Sequence, residues 1–339
     1  MTHHPKIVTI FGGSGFVGKY ICQQMARAGW RVRVAVRRPH EAIHVKPYGS
    51  VGQVEPIQAN IRDEASTRAA IAGADAVINC VGVLQEDGRQ KFTAIHADGA
   101  GRIAQLAAEE GVARMVHISA IGADVDAASE YARSKGEGEV AVLTAFPAAV
   151  ILRPSVIFGE EDGFFNRFAG MTRFSMVLPI VGADSEFQPV YVADVAKAAV
   201  KAVRDTSVSG IYELGGPERE SLRALLERML QVIRRRRLVV NMPFFVGGIM
   251  GKVLDVTSKV SIGLFTNTIL TSDQVKQLRG DTVVSSNAQT FADLGVEPTS
   301  MEAVLPEYLY RYRPYGQYSD LTASADNLTG VRNSQSTAK

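Results

Sequence analysis

Short apolar runs alternate with amphipathic stretches along the first half of the chain. The apolar runs are rich in Val, Ile and Ala, and they predict strands over 6–11, 30–36, 54–59, 76–81, 113–118 and 148–153. The stretches between them have helical spacing and predict helices over 16–28, 63–72, 100–110 and 127–143. Continuously apolar strands that alternate with helices are typical of a parallel sheet covered on both faces. We therefore predict an α/β fold with a doubly wound parallel sheet.

The alternation loosens after Pro154. The later pattern predicts a helix over 194–203, a short strand over 211–214 and a helix over 221–234. An arginine run, Arg234 to Arg237, then leads into an apolar, Gly-rich stretch that ends near Leu270. We interpret the part beyond this run as smaller and mainly helical.

Composition limits the class of protein. The chain has 339 residues, 46% hydrophobic and 21% charged, so it can bury a large core and is not a disordered protein. Its net charge of +2 lacks the basic excess of a nucleic-acid binder. Cys22 and Cys80 lie far apart in apolar runs, which excludes a disulfide framework and a cysteine zinc site. No metal site is predicted.

The sequence shows neither a spanning segment nor a targeting segment. Every apolar stretch of spanning length is interrupted by charge. The first predicted strand begins at Lys6, which leaves no room for a signal or transit peptide. We therefore expect a cytoplasmic protein.

A Gly-rich turn joins the first predicted strand to the first helix. Such a turn lets the backbone approach a pyrophosphate closely, and the helix N-terminus behind it offers free N–H groups and a positive dipole end. A tight turn without a ligand is the alternative, but the position between an apolar strand and a helix favours nucleotide binding. The predicted cofactor-binding residues here are Gly12, Gly13, Ser14, Gly15, Phe16, Val17 and Gly18.

The residues after the second and third strands indicate which dinucleotide binds. An acidic residue after the second strand would bind a ribose 2′-hydroxyl and repel a 2′-phosphate, but this chain has Arg37 and Arg38 there. Guanidinium groups pair with phosphate, so NADP(H) is favoured over NAD(H), with a solvated surface pair as the alternative. Asn60 and Ile61 follow the third strand, where the adenine is expected. A simple turn and helix cap is the alternative role of Asn60.

A Tyr and a Lys lie four residues apart in the helix after the fifth strand. On a helix this spacing places Tyr131 and Lys135 on the same face. A nearby ammonium stabilises a phenolate, so Lys135 is predicted to lower the pKa of Tyr131 and make it a usable acid or base. Lys135 can also reach the ribose hydroxyls of a cofactor. Ser119 ends the fifth strand and completes the predicted catalytic set.

These motifs resemble the short-chain dehydrogenase/reductase superfamily in its extended or atypical form. The resemblance covers about residues 6–230 and rests on GGSGFVG, RRP, the strand end at Ser119, YARSK and LRPSVIFG. Further motifs are similar to one atypical branch, the NADP(H)-binding accessory subunit of respiratory complex I and its bacterial relatives. They are HISAIGA from His117, QPVYVAD from Gln188, LGGP from Leu214, LTSDQV from Leu270 and YLYRYRP from Tyr308.

The resemblance adds residues to the predicted site. It implies that the backbone near the nicotinamide carboxamide belongs to Pro154, Ser155 and Val156. The end of the fourth strand supplies two more predicted cofactor residues, Val81 and Gly82. Active relatives often carry the catalytic hydroxyl one residue after Ser119, where this chain has Ala120. That difference counts against substrate turnover but not against cofactor binding.

The resemblance implies a subunit that holds NADP(H) mainly as a structural group. Its partners would be the subunits of complex I, a membrane-bound NADH:quinone oxidoreductase, with docking at the membrane-proximal part. The alternative is an active NADPH-dependent reductase, epimerase or dehydratase on a carbonyl or quinone-like substrate. In that alternative Tyr131 is the acid or base, Lys135 lowers its pKa and Ser119 orients the carbonyl. A regulator whose partner contact senses NADP(H) is a third hypothesis.

The domain prediction separates binding from docking. Residues 1–235 are expected to form the NAD(P)-binding Rossmann domain, with substrate-side elements interleaved from about residue 155. Residues 236–315 are interpreted as a helical docking appendage and 316–339 as a disordered tail. The arginine run beside the apolar stretch suits an anionic membrane surface or a partner's acidic face, with a solvated helix end as the alternative. We expect a peripheral location on the inner face of the cytoplasmic membrane.

Overall fold

The computed structural model describes residues 5–249, 271–314 and 316. Its strands are β1 (Ile7–Phe11), β2 (Arg31–Val36), β3 (Val54–Gln58), β4 (Ala76–Asn79), β5 (Arg114–Ile118), β6 (Val150–Pro154), β7 (Ile157–Phe158), β8 (Val177–Val181), β9 (Glu186–Phe187), β10 (Val190–Tyr191), β11 (Gly210–Leu214), β12 (Glu220–Ser221) and β13 (Leu238–Met242). Its helices are α1 (Phe16–Arg27), α2 (Glu64–Ile71), α3 (Asp98–Glu109), α4 (Glu130–Ala145), α5 (Phe165–Met171), α6 (Val192–Arg204), α7 (Leu222–Val232), α8 (Ser272–Gln277) and α9 (Met301–Leu309).

The main sheet confirms the predicted doubly wound fold. Its seven strands are all parallel and lie in the order β11-β6-β5-β4-β1-β2-β3. The chain runs outward from β1 to β3 and then returns to β4 on the other side of β1. The carboxyl ends of β1 and β4 therefore form a switch point, which is where ligands bind in such sheets.

Helices cover both faces of this sheet, as its strands require. On one face α1 and α6 bury Ile21, Met25 and Val195 against the strands. On the other face α3 and α4 bury Ile103, Leu106 and other apolar side chains. Each such side chain contributes about 1.5–3 kcal/mol when it is fully buried. The sheet is thus apolar on both sides, which is why its strands lack an alternating pattern.

A third apolar core lies beyond the main sheet. It joins α5 and α7 to the C-terminal helix α9, whose Met301 and Leu305 are fully buried beside Leu225 and Met229. The part N-terminal to residue 235 and the C-terminal helix therefore share a core. The mainly helical C-terminal part also contains one strand that was not predicted, β13, which pairs in parallel with β8.

Two predictions fall on residues that the structure does not describe. They are the disordered tail, of which only Gly316 is described, and the part over 250–270 of the apolar stretch that follows the arginine run. Among the described residues, no helix combines the length and apolarity needed to cross a membrane.

Candidate dinucleotide-binding site

The glycine turn between β1 and α1 has no room for side chains at its key positions. Gly12 has φ +74°, and its N–H donates to the carbonyl of Ala35 at 3.1 Å. A Cβ on Gly18 would lie 2.3 Å from the carbonyl oxygen of Gly12, so only glycine allows this close approach. A Cβ on Gly13 would lie 2.9 Å from the sulfur of Cys22. The turn is therefore held by packing that excludes Cβ atoms.

The N-terminus of α1 leaves hydrogen-bond donors open above this turn. Gly15 is the N-cap and supplies no side-chain acceptor, and the first turn holds no acidic residue. The N–H groups of Phe16 and Val17 bond to no atom of the described residues, and Ser14 and Gly15 are at least partly exposed. Free N–H groups at a helix N-terminus form a site for an anion, which a pyrophosphate fits.

Arg37 and Arg38 lie beyond β2, next to this turn. Arg38 pairs with Glu41 at 2.8 Å, and this hydrogen bond holds the pKa of the Glu41 carboxyl below its usual range. Arg37 is exposed and makes no hydrogen bond or ion pair with the described residues. The guanidinium of Arg37 is thus free to bind a phosphate, whereas that of Arg38 is shared. The preference for NADP(H) over NAD(H) stays a prediction.

Asn60 and Ile61 form a turn after β3. The side-chain oxygen of Asn60 accepts from the N–H of Arg62 at 3.2 Å, so it stabilises its own turn. Ile61 is buried, and its carbonyl accepts from Arg102 at 2.7 Å. The turn role of Asn60 is therefore observed, and an adenine contact stays a prediction.

Lys135 lies in the interior behind the ends of β4 and β5. It is buried, and its ammonium donates to the carbonyl of Ile118 at 3.2 Å. A Cβ on Gly82 would lie 3.3 Å from Nζ of Lys135, which places the predicted Val81–Gly82 backbone beside the ammonium. Burial lowers the pKa of Lys135 to about 8, and Glu139 acts in the opposite direction.

Tyr131 lies in a small aromatic cluster one turn before Lys135. Its ring packs edge-on against Phe92 and His96, with centroid distances of 5.9 and 5.4 Å. Burial raises the pKa of Tyr131 to about 12, and Lys135 does not offset this effect. The prediction that Lys135 lowers the pKa of Tyr131 is therefore wrong for this structure. Desolvation of the phenolate raises its pKa, and no attraction from the ammonium counters it.

His96 belongs to this cluster, although no sequence pattern predicted it there. The N–H of Val83 donates to its Nε2 at 3.0 Å, and its Nδ1 lies 2.9 Å from the hydroxyl of Ser134. That hydroxyl itself donates to the carbonyl of Tyr131, so His96 donates from Nδ1 and is neutral. Burial, aided by Lys135, lowers the pKa of His96 to about 3.

Ser119 directly follows β5 and carries an unsatisfied hydroxyl. Its side chain is buried, and its Oγ has no hydrogen-bond partner among the described residues. His117, on the same face of the strand, has an unpartnered Nε2 and accepts from Asn79 through Nδ1 at 3.1 Å. Buried polar groups are rarely left without a partner. The orphaned hydroxyl of Ser119 therefore fits a site that a bound group completes.

Comparison with known proteins decides the family. The model of the NAD-dependent epimerase/dehydratase family matches residues 8–215. The chain belongs to this family. The match confirms the superfamily resemblance that the motifs carry and includes the glycine turn, Ser119, Tyr131 and Lys135.

The proteins similar to this chain include subunits of NADH dehydrogenase [ubiquinone]. The chain is 36% identical to NADH dehydrogenase [ubiquinone] 1 alpha subcomplex subunit 9, mitochondrial, of Arabidopsis thaliana, over 94% of this chain and 81% of the relative. It is 33% identical to the mouse subunit of the same name, over 91% and 81%. The NADPH-dependent quinone oxidoreductase QOR2 of Escherichia coli, solved with NADPH, shares the fold. It has a TM-score of 0.68 and 19% identity over 89% of this chain and 98% of that structure.

In this member of the family, a C-terminal segment lies across the strand ends where the nicotinamide is predicted. Ser155 donates its hydroxyl to the carbonyl of Thr282 at 2.7 Å. The N–H of Ser285 donates to Glu213, at 2.8 Å. The backbone of Pro154, Ser155 and Val156 is thus at the predicted edge, but the Ser155 hydroxyl is already bonded. Sequence patterns gave no signal for this contact, because residues 282–285 are far from Ser155 in the chain.

A buried network of ion pairs stabilises the same edge of the sheet. Arg153 binds both oxygens of Glu139, with its closest contact at 2.6 Å, and approaches Glu213 at 3.6 Å. Both carboxylates are buried. The network joins α4, which carries Lys135, to β6 and β11. Breaking such a buried network typically costs about 3–5 kcal/mol.

Proposed function

We propose that this protein is an NADP(H)-binding accessory subunit of a respiratory complex I and holds its cofactor mainly as a structural group. The observation that carries the proposal is the extent of likeness to complex I subunits. It spans more than nine-tenths of the chain, well beyond the family match over 8–215. The C-terminal part, which lies beyond the family match, is therefore included in the likeness.

The site residues suit a dinucleotide along its length. The turn from Gly12 to Gly18 and the open N–H groups of α1 would hold the pyrophosphate. The free guanidinium of Arg37 would bind the 2′-phosphate, and Asn60 with Ile61 would lie at the adenine. Lys135, beside Gly82, would donate to the ribose hydroxyls. The cofactor, when bound, supplies a hydride donor or acceptor at its nicotinamide ring.

The geometry favours holding over turnover. Tyr131 has a raised pKa near 12, so it is a poor proton acceptor at neutral pH. Ala120 offers no hydroxyl, and Ser155 is bonded to Thr282. The cofactor-facing lysine and serine are buried, which suits a cofactor that stays bound.

Docking is proposed through an exposed apolar surface, which consists of Phe174, Met176, Val177, Leu238, Val240, Phe245, Val246 and Ile249. Phe174 is 95% exposed, Leu238 63% and Phe245 69%. Leu238 pairs with Val177 in the β8–β13 ladder, so these two side chains lie side by side. Arg236, which is exposed, lies two residues before Leu238 in the chain. Connected apolar surfaces of this kind mark interaction sites.

We propose that complex I subunits cover this surface at the membrane-proximal part of the complex, on the inner face of the cytoplasmic membrane. The arginines of the run are only partly available for a membrane. Arg235 donates to the carbonyl of Tyr312 at 2.8 Å, and Arg237 to that of Thr172 at 2.9 Å. A protein partner therefore fits better than an anionic lipid surface as the main contact.

The decisive experiment is affinity purification of the full chain from detergent-solubilised membranes. Complex I subunits should co-purify, and mass spectrometry should find NADP(H) that added quinone does not oxidise. Arg37→Ala should keep the complex but lose NADP(H), whereas Arg31→Ala, a half-exposed arginine at the start of β2, should keep both. Recovery of the protein only in free form would overturn the docking proposal. Bound NAD(H) would overturn the cofactor choice.

An active reductase is the second candidate, favoured by the unpartnered Ser119 hydroxyl beside retained Tyr131 and Lys135. It requires NADPH consumption with a carbonyl or quinone-like substrate. Tyr131→Phe should abolish that consumption while NADPH binding remains. Wild-type protein that binds NADPH and oxidises none across a panel of such substrates excludes this candidate.

A further inference from the structure

Asp273 of α8 binds the N-terminus of α4 from a distant part of the chain. Its Oδ1 accepts from the N–H of Glu130 at 2.8 Å, and its Oδ2 accepts from the N–H of Tyr131 at 3.1 Å. The same Oδ2 accepts from the hydroxyl of Ser129 at 2.8 Å. Gln277, one turn on in α8, donates to Ser129 at 3.2 Å. A single carboxylate thus holds three donors of the first turn.

The first turn of α4 is fully satisfied only with Asp273 in place. Ser129, the N-cap, accepts from the N–H of Ala132 at 3.3 Å, and its carbonyl accepts from that of Arg133 at 3.0 Å. The N–H groups of Glu130 and Tyr131 are left, and both go to Asp273. A carboxylate at this place also interacts favourably with the positive end of the helix.

This turn is the one that positions the predicted cofactor residues. Tyr131 is bonded to Asp273 through its own N–H, and Lys135 follows one helical turn later. Among the described residues, no hydrogen bond or ion pair joins Asp273 to either side chain, and its one bond to a predicted cofactor residue is to the Tyr131 backbone. Any effect on the cofactor must therefore pass through the position of α4.

We propose that Asp273 is a positioning residue of the dinucleotide site and that it couples the C-terminal segment 271–285 to cofactor binding. The inference rests on the proposed NADP(H) site and adds its regulation. The segment makes a second contact with the predicted site, because the Thr282 carbonyl accepts from the Ser155 hydroxyl. The segment 271–285 thus contacts both elements next to the predicted nicotinamide position, α4 and the end of β6.

The coupling works in both directions. If the segment favours the position of α4 that binds NADP(H), then bound NADP(H) favours the docked segment by the same factor. A partner that binds residues 271–285 in their docked position would tighten the cofactor. A subunit of a complex built in this way would retain NADP(H) better when assembled.

The test measures NADPH affinity and amide hydrogen exchange in the full chain. Asp273→Asn should weaken NADPH binding about fivefold, at the low end of couplings between sites. In the wild type, NADPH should slow exchange at residues 130–132 and 271–277, and Asp273→Asn should remove this response in 271–277. The matched control is Asp293→Asn, which removes a carboxylate that accepts from Thr290 in the same C-terminal part, away from α4. It should leave the affinity unchanged.

A double variant separates positioning from folding. Lys135→Met should weaken NADPH binding, and adding Asp273→Asn to it should weaken binding less than Asp273→Asn does alone, because both act on one contact. A variant that melts earlier but binds NADPH with wild-type affinity would show that Asp273 has only a structural role and would overturn the inference. Wild-type protein that binds no NADP(H) would instead overturn the proposed site, and the inference with it.

Discussion

Two histidines of the candidate site, His96 and His117, are buried behind the ends of β4 and β5. His96 is held neutral by Val83 and Ser134, and His117 is held by Asn79 with its Nε2 unpartnered. Burial lowers the pKa of each to about 3. In the unfolded chain the same groups bind protons near pH 6.5.

These low pKa values make the free energy of unfolding depend on pH. Between about pH 6.5 and 3 the unfolded state binds more protons, so the free energy of unfolding should fall as pH falls. Each histidine contributes roughly 1.4 kcal/mol per pH unit in that window. Denaturant unfolding at pH 7.5, 6 and 5 should show a shallower fall for His117→Gln than for the wild type. His40→Gln, at an exposed histidine, should keep the wild-type slope; equal slopes for all three proteins would contradict the argument.

Gly18 is the residue on which the close approach at the glycine turn depends. Gly18→Ala would place a methyl group 2.3 Å from the Gly12 carbonyl, so backbone must move, which costs about 1–3 kcal/mol. The movement would also displace the N–H groups for the pyrophosphate. Thermal unfolding should show a lower melting temperature, and NADPH titration should show a lower affinity. Gly170→Ala, in α5, places its new Cβ in open space and should change neither the melting temperature nor the NADPH affinity. The same loss in both variants would point to a general effect of alanine.

At the scale of elements, the loop after β7 is held from two sides. Glu161 pairs with Lys19 of α1, next to the glycine turn. Asp162 of the same loop is buried and accepts from the hydroxyl of Tyr308 in α9 at 2.5 Å. The C-terminal helix thus fixes a loop that borders the predicted cofactor site.

Removing the Tyr308 hydroxyl should loosen this loop. Tyr308→Phe leaves the buried Asp162 carboxyl, whose pKa burial already raises, without its strongest donor. The free energy of unfolding should drop by about 1–3 kcal/mol. Denaturant unfolding measures the drop. Tyr310→Phe is the matched control, because Tyr310 is exposed, and its stability should equal that of the wild type. A Tyr308→Phe protein as stable as this control would mean that the hydrogen bond contributes nothing.

The sequence predicted elements whose pattern is local and missed contacts that are not. The helices of the first half were predicted from the spacing of their apolar residues and the strands from their continuously apolar runs, and the turn at Gly12–Gly18 followed from its glycines. Strands such as β7 and β12 are too short to leave a pattern. The pKa of Tyr131 was missed because burial was not visible in the spacing of Tyr131 and Lys135. The contacts of Asp273 and Thr282 depend on tertiary packing alone.

At the scale of the whole molecule, the apolar surface should decide assembly. Phe174→Ser with Phe245→Ser removes both of its aromatic rings. Stability should change by no more than about 0.5 kcal/mol, because exposed side chains contribute little to folding. Recovery with complex I should fall at least roughly tenfold, as expected when anchor residues of an interface are truncated. Val51→Ser, at an exposed valine outside this surface, should leave recovery unchanged; unchanged recovery of the double variant would exclude this surface.

The core shared with the C-terminal part also dictates when the chain can fold during synthesis. Phe291 and Leu294 are buried in the core of the main sheet, and Leu305 in the third core. The N–H of Thr299 donates to the buried carboxylate of Asp194 at 2.6 Å. A ribosome that has released the chain only to residue 235 has already made every strand of the main sheet. Part of the apolar surface of that nascent sheet and the Asp194 carboxylate therefore stay uncovered until the residues up to α9 have emerged.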